Sequence, residues 1–434
     1  MLKKIFIFTL LTIFCNTTFC FANEYKQIDL KTAIDIALEN NLDLKYNKKN
    51  VDIAKNEIKI SNRLNNPSID TFWNFGKAGK GNPNQIGLSE TIELFKRGAR
   101  KNLAKANYKL SSENFETQKF NLKMDVAEAY ITLVVTKSIL KKYEHQQKFL
   151  EDLLEISNLN NKENNKLDLD TIEARIALNQ IITEVNKAKT KAKTARIEFN
   201  KVINTLDSNY DSLDTELSKG NDVIGINIPT SSTHLPPFKS IENSAVKNRY
   251  DIKIAQNQIE IAKKKLTVIA RQKIPDIELA GGYGYQTTGL ADDNRYKNGA
   301  YLGASLVNIP IFYSYRPEIK NAKLEIEKAN LDYVSIVNKA KKDIEIAYEN
   351  FITAQLNLES YNDKILKDSE DLFALFEKKY KSENVDFATL AAVEESYQDL
   401  IVGYSEALSD YYISWINFLR EINSENFSFG NENL

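Results

Sequence analysis

Few side chains in this sequence of 434 residues could carry out covalent chemistry. His145 and His234 each stand alone, the first on a charged helical face and the second in a Pro- and Ser-rich stretch. Both cysteines, Cys15 and Cys20, fall within the first 22 residues. A His/Cys metal centre or a Cys–His nucleophile needs a cluster that is missing here. Gly281-Gly282-Tyr283-Gly284 lacks the Lys-Ser/Thr sequel of a phosphate loop, and close strand packing accounts for it better. No catalytic residue, metal or cofactor is therefore expected, and the chain is not expected to be an enzyme. What remains is charge at two polar breaks. Asn165, Lys166 and Asp168 close a run that begins at Asn160, and Lys379, Tyr380, Lys381, Asn384 and Asp386 make up the other. Chemistry of that kind is electrostatic.

Composition limits what these charges can serve. There are 58 basic and 59 acidic side chains, so no cationic surplus exists to neutralise nucleic-acid phosphates. Beyond residue 23 no apolar run reaches the roughly 18 residues of a membrane-spanning helix. Eight prolines and 15 glycines are few, which favours long uninterrupted helices. Residues 1–22 read as a secretory signal, with Lys3 and Lys4, an apolar stretch from Ile5 to Phe14, and Cys20-Phe21-Ala22 before Asn23. A signal-anchor helix would need a longer apolar span. Phe14 and Phe19 stand where a lipoprotein signal has a small residue before its cysteine. The exported chain is thus expected to lack cysteine and lipid, with 56 basic against 59 acidic groups.

The elements that must place the breaks are arranged twice. A shift of 208 positions aligns Ala37–Ile69 with Ala245–Ile277 and gives ten identical pairs, among them Asn40/Asn248, Ala54/Ala262, Arg63/Arg271 and Pro67/Pro275. A shift of 218 aligns Asp125, Ala129 and Tyr130 with Asp343, Ala347 and Tyr348, and Asp168, Thr171 and Ala174 with Asp386, Thr389 and Ala392. The spacing predicts a tandem duplication, with repeats at 23–206 and 241–434 joined by a Ser-, Asp- and Pro-rich connection over 207–240.

Each repeat opens with a helical pattern, over 29–65 in the first, which Pro67 stops as Pro275 does in the second. Strict alternation follows: Ile69, Thr71, Trp73 and Phe75 oppose Ser68, Asp70, Phe72 and Asn74, and Ile86, Leu88, Ile92 and Leu94 oppose Gly87, Ser89, Thr91 and Glu93. In the second repeat Ile277, Leu279, Tyr283 and Tyr285 oppose Asp276, Glu278, Ala280 and Gly284, and a partner strand covers Tyr301–Ile309. A half-buried surface sheet shows the same period. Four strands alone would keep open edges, however, whereas three chains would close a barrel of twelve. Trp73, Phe75, Tyr283 and Tyr285 then read as membrane-interface aromatics, and Asp70, Glu93, Asp276 and Glu278 as barrel-lumen charges.

The rest reads as coiled coil. Leu103, Ala106, Leu110, Phe120, Met124, Ala127 and Ile131 keep 3-4 spacing over about 97–158. A return helix runs through Ile181, Val185, Ala188, Ala192, Ala195 and Phe199, and the second repeat through Leu390, Val393, Tyr397, Leu400, Tyr404, Ala407 and Tyr411.

This order, repeated behind a signal peptide, resembles the TolC family of outer-membrane efflux and secretion channels over nearly the whole mature chain. Asn308-Ile309-Pro310-Ile311-Phe312 before Arg316 is similar to the family's element where the second hairpin re-enters a helix. Thr91-Ile92-Glu93-Leu94-Phe95-Lys96-Arg97 is similar to the same junction in the heavy-metal cation-efflux branch, except that Phe95 stands where that branch has Gly. The resemblance implies a mainly α, TolC-like duplicated protomer, with a long helical coiled-coil barrel and four strands per chain in a trimeric 12-stranded β-barrel. It implies a homotrimer in outer-membrane lipid of a Gram-negative bacterium, with a large periplasmic part. Partners would be a periplasmic adaptor (membrane fusion protein) and an inner-membrane pump of RND, ABC or MFS type. The family places segments such as 207–240 as a belt around the tunnel. It also carries aperture-closing Asp residues one turn into the helix after the second tip, where this chain has Thr389 and Ala392. Asp386 and Asp168 are the nearest carboxylates, either an aperture ring offset by Lys379 and Lys381 of neighbouring helices, or solvated tip charges. A periplasmic adaptor or a fibrous coiled-coil protein is the other reading; the duplication argues against the first and the strand hairpins against the second.

Overall fold

A computed structural model of the chain describes residues 25–73, 84–164, 169–204, 210–215, 217, 237–285, 298–382 and 385–424. The expected signal over 1–22, the residues Phe75, Asn165, Lys166, Asp168 and Asn384, and most of 207–236 lie outside them. Helices make up 76% of the structure. In chain order the elements are β1 (Lys26–Ile28), α1 (Leu30–Asn40), α2 (Leu42–Ser61), β2 (Ser68–Phe72), β3 (Asn84–Ile92), α3 (Lys96–Asn164), α4 (Leu169–Val202), β4 (Tyr210–Ser212), α5 (Phe238–Asn248), α6 (Tyr250–Arg271), β5 (Asp276–Tyr285), β6 (Gly299–Val307), α7 (Arg316–Ser360), α8 (Asp363–Lys381) and α9 (Phe387–Ile422).

The first expected helix, over 29–65, is two helices. At Asn41 the backbone leaves the helical region (ψ 119°), its N–H still closes α1 on the Ala37 carbonyl, and its Oδ1 accepts from Leu44 N to start α2. A short polar side chain that competes with the backbone allows one residue to end one helix and cap the next. Arg249, 208 residues on, makes the same break between α5 and α6. Asn204 and Asn423, both with positive φ just beyond α4 and α9, each donate from Nδ2 to a carbonyl at the end of an opening helix, Asn40 and Asn248 respectively.

Helix α3 has 69 residues, about 100 Å at 1.5 Å per residue. Its counterpart is divided into α7 and α8. Tyr361 and Asn362 interrupt the ladder, Asn362 Oδ1 caps α8 by accepting from Ile365 N, and the Tyr361 hydroxyl lies over Gly403 where a Cβ would stand at 2.7 Å. The four long strands form one antiparallel sheet in the order β2-β3-β5-β6. The helices continue that order, α2 packing on α3, α3 on α6 and α6 on α7. At the opposite end α4 packs on α3, α3 on α9, and α9 on α8.

The main core is a belt midway along, where α1, α3, α4, α5, α7 and α9 converge. Trp415, Phe351, Phe418, Tyr130, Phe199 and Met124 are all sealed from solvent there, with the Phe351 and Trp415 rings 4.9 Å apart. A three-residue parallel pairing of β1 with β4 joins the belt; the Tyr130 hydroxyl donates to the Ile28 carbonyl at 3.1 Å and accepts from Leu213 N at 3.3 Å. The α4 stripe buries Ile181, Val185, Ala188, Ala192, Ala195 and Phe199 as its spacing predicts.

Helix α9 differs from the predicted stripe. Val393, Tyr397 and Tyr404 are only half-buried, and the next positions, Glu394, Gln398, Val402 and Ser405, are the deeper ones. α9 packs on α3 with one side and on α7 and α8 with another, so two stripes are covered where apolar spacing marks one.

Candidate functional site

Register assigns the two faces of the sheet. Asp70 pairs with Gly87, Gly87 with Gly282 and Gly282 with Tyr301, while Thr91 pairs with Glu278 and Glu278 with Ser305. Directly paired residues share a face. One face is therefore small and polar and carries Asp70 and Glu278, apart from Phe72 and Tyr301. The other carries Ile69, Ile86, Leu88, Leu279, Tyr283, Leu302 and Leu306, all substantially exposed. On the edge away from the helices Trp73 meets Tyr285 edge-to-face at 6.3 Å, and both continue this apolar face. Gly282 is required by close approach: a Cβ there would stand 2.3 Å from the Ile86 carbonyl and 2.6 Å from Gly87 Cα. The Tyr301 ring lies over the two glycines.

Asp276 and Glu93 do not share the open setting expected of lumen charges. Asp276, at the first residue of β5, is 3% exposed and accepts from Lys96 Nζ at 2.7 Å and Asn308 Nδ2 at 3.0 Å. Glu93 lies past the end of β3 and pairs with Arg100 of α3 at 2.5 Å. Both stitch the sheet to the helices. The pairing of Ile92 with Ile277, visible only once β3 is joined to β5, is what brings Lys96 to the adjacent Asp276. Two residues of this junction have left-handed backbones, Phe95 (φ 63°) and Asn308 (φ 56°). Phe95 is exposed, as are Ile309, Ile311, Phe312 and Tyr313 beside Asn308.

At the far end of the helices, Asp386 is the N-cap of α9. Its carboxylate accepts from Thr389, side chain and backbone, which holds it below the usual carboxylate range. Lys381 pairs with Glu377 of its own helix at 2.7 Å, and Lys379 sits 5.4 Å from the Phe376 ring, so in the protomer these lysines are engaged within α8. Tyr380 packs edge-to-face on Phe387 across the turn. Beside this tip a groove of about 530 Å³ runs between α8 and α9, lined by Ser369, Leu372, Thr389, Ala392 and Tyr397.

Among the described residues there is no group of acidic, His or Cys side chains that could hold a metal ion, and no helix long and apolar enough to cross a membrane. The described residues thus form one sheet with an apolar and a small polar face, carried on a tall helical wall.

Residues 33–215 match the family model of the outer membrane efflux protein. No curated protein matches the sequence. Among solved structures, the fold is similar to that of a membrane protein from Pseudomonas aeruginosa, at 16% identity and a TM-score of 0.71, covering 92% of this chain and 91% of that one. The open state of the Neisseria gonorrhoeae MtrE outer membrane channel gives 18% identity and a TM-score of 0.69, with coverage of 91% and 89%. CusC, described for its transmembrane channel formation, gives 16% and 0.70, with coverage of 92% and 93%. Residues 33–215 thus match the outer membrane efflux protein model, and the chain as a whole shares the fold of these channel structures.

Proposed function

We propose that three copies of this chain close into an outer-membrane channel that serves as the passive exit duct of an inner-membrane pump. The observation that carries this reading is the pair of unfinished flanks. The sheet ends in β2 on one side and β6 on the other, and the helices attached to those strands, α2 and α7, are likewise the flanks of their layer. Exposed apolar residues run down both: Tyr46, Ile53, Ile60 and Leu64 on and just beyond α2, and Leu324, Leu331 and Val334 on α7. Open strand edges and bare heptad stripes on opposite sides of one protomer fit a head-to-tail ring, which closes at three copies into twelve strands. The apolar sheet face then meets lipid, with Trp73, Tyr283 and Tyr285 toward the outer interface, and Asp70 and Glu278 face the lumen.

The helical ends would form the periplasmic mouth. A periplasmic adaptor's hairpin fits the groove between α8 and α9, and opening would be a shift of these ends with no chemistry of the chain's own. Asp168 and Asp386 would ring that mouth, and the connection 207–240 would belt the middle.

The experiment is membrane fractionation followed by an unheated gel and planar-bilayer recording. Outer-membrane residence, a detergent-stable trimer and single-channel conductance support the reading. A soluble periplasmic monomer without conductance would remove it. Ile53→Glu with Leu331→Glu, which sets like charges against each other across the joined flanks, should leave folded protomers that no longer form the trimer.

A further inference from the structure

Along the contact between α3 and α9, about two turns above the tip, lies a polar cluster that neither lumen nor tip uses. Glu394 is 2% exposed. Gln146 of α3 donates to it from Nε2 at 2.8 Å, and Gln398, one turn on, bonds it as well. Three oxygens in this cluster, Gln146 Oε1, Glu394 Oε1 and Gln398 Oε1, are buried without any hydrogen-bond partner. Buried acceptors left unmade are costly, and their crowding here points to one missing donor.

The surroundings say which donor. The charges that act on Glu394 are Glu395 and Asp399 of its own helix, both acidic. Lys142 of α3, further along the seam, is bonded to Ser405 Oγ and to the Ile401 carbonyl. Tyr143 lies beside Glu184 and Lys187 of α4, and α8 brings Glu370 beside Tyr397. Toward the tip the seam is apolar, through Leu150 and Leu390.

We propose that Glu394 is a proton-operated clasp between α3 and α9. Protonated, its carboxyl O–H donates to a neighbouring amide oxygen and the seam closes; ionised, it leaves a buried anion among orphaned acceptors and the seam loosens. The proton comes from and returns to water. Burial supports this by pushing the Glu394 carboxyl up to about 7, within the range a cell envelope experiences. The clasp rests on the channel reading only for its consequence, a mouth-proximal wall that is firmer in acid.

The test is hydrogen–deuterium exchange of the full-length trimer at pH 6 and pH 8.5, corrected for intrinsic exchange. Peptides spanning 140–150 and 390–402 should exchange at least about tenfold faster at the higher pH, since each unit of raised pKa is a factor of ten in the linked equilibrium. Glu394→Gln, and separately Glu394→Met, should flatten this difference while peptides of the central belt stay unchanged. Equal pH dependence in the variants, or none in the parent, overturns the proposal. So does a parent whose exchange follows replacement of sodium by choline at constant pH, because the orphaned oxygens then hold a cation. Because conductance is not the readout, failure here leaves the channel reading standing.

Discussion

The Lys96 ammonium and the Asp276 carboxylate lie 180 residues apart in sequence and 2.7 Å apart in space, both shielded from water. They tie the start of the long helix in the first repeat to the start of a strand in the second. Breaking a buried pair from one side leaves an uncompensated charge, whereas replacing both partners with apolar groups of similar size is often neutral. Asp276→Ala should therefore cost about 3 kcal/mol, and Lys96→Met with Asp276→Leu much less. Temperature-dependent loss of the folded band on gels reads this directly. Equal losses for single and double variants would show that the pair is not what holds the junction.

Phe95 occupies a left-handed backbone that a bulky side chain adopts only at a cost. Phe95→Gly should relieve strain of about 1 kcal/mol, after allowing for glycine's extra freedom in the unfolded chain. The urea midpoint of the purified protein should rise. A fall would mean that contacts of the exposed ring outweigh the strain.

Gly282 and Gly303 are both strand glycines, yet their surroundings differ. A Cβ at Gly282 meets the neighbouring strand's backbone, and one at Gly303 meets nothing within 4 Å. Gly282→Ala should spread β3 from β5 and abolish trimer recovery from membranes, while Gly303→Ala should assemble normally. Similar recovery of both would argue against this register.

Glu394 gives the fold a pH dependence whose sign is unusual for a carboxylate. Its folded pKa is about 7 against an ordinary value of 4.5. The folded chain therefore binds the proton more tightly than the unfolded chain does, and this contribution is complete below the unfolded value and lost as pH rises through the folded one. Glu394→Gln should be more stable than the parent above pH 8 by up to about 3 kcal/mol and indistinguishable near pH 4. Denaturant midpoints across that range decide it. A variant less stable at every pH would point to lost packing.

Much of the architecture was legible because its signals are long. Alternation through Ile86 and Leu88 outlasts chance, Pro67 and Pro275 cut helix from strand, and 3-4 spacing runs unbroken through α4. Short or polar features escaped. The break at Asn41 hides inside a continuing apolar pattern, and β1 pairs with β4 over three residues only. Lys96 and Asp276 become neighbours through a pairing between repeats that neither repeat encodes alone. Gln146, Glu394 and Gln398 gave no signal at all, because a polar type at a covered position has no periodic signature. Asp386 precedes α9, and its capping of that helix depends on a backbone turn that composition does not reveal.

The interruption at Tyr361–Asn362 makes the two repeats mechanically unequal. α3 is a continuous mast that resists bending along its full length, whereas its counterpart is jointed. A jointed strut passes thrust along its axis but transmits little torque, so a sideways push on α8 tilts α8 at the joint and leaves the direction of α7 unchanged. No side chain of α8 is fully buried, and it leans chiefly on α9. Each protomer therefore holds one strut that can tilt at its tip end while the unbroken mast beside it stays straight.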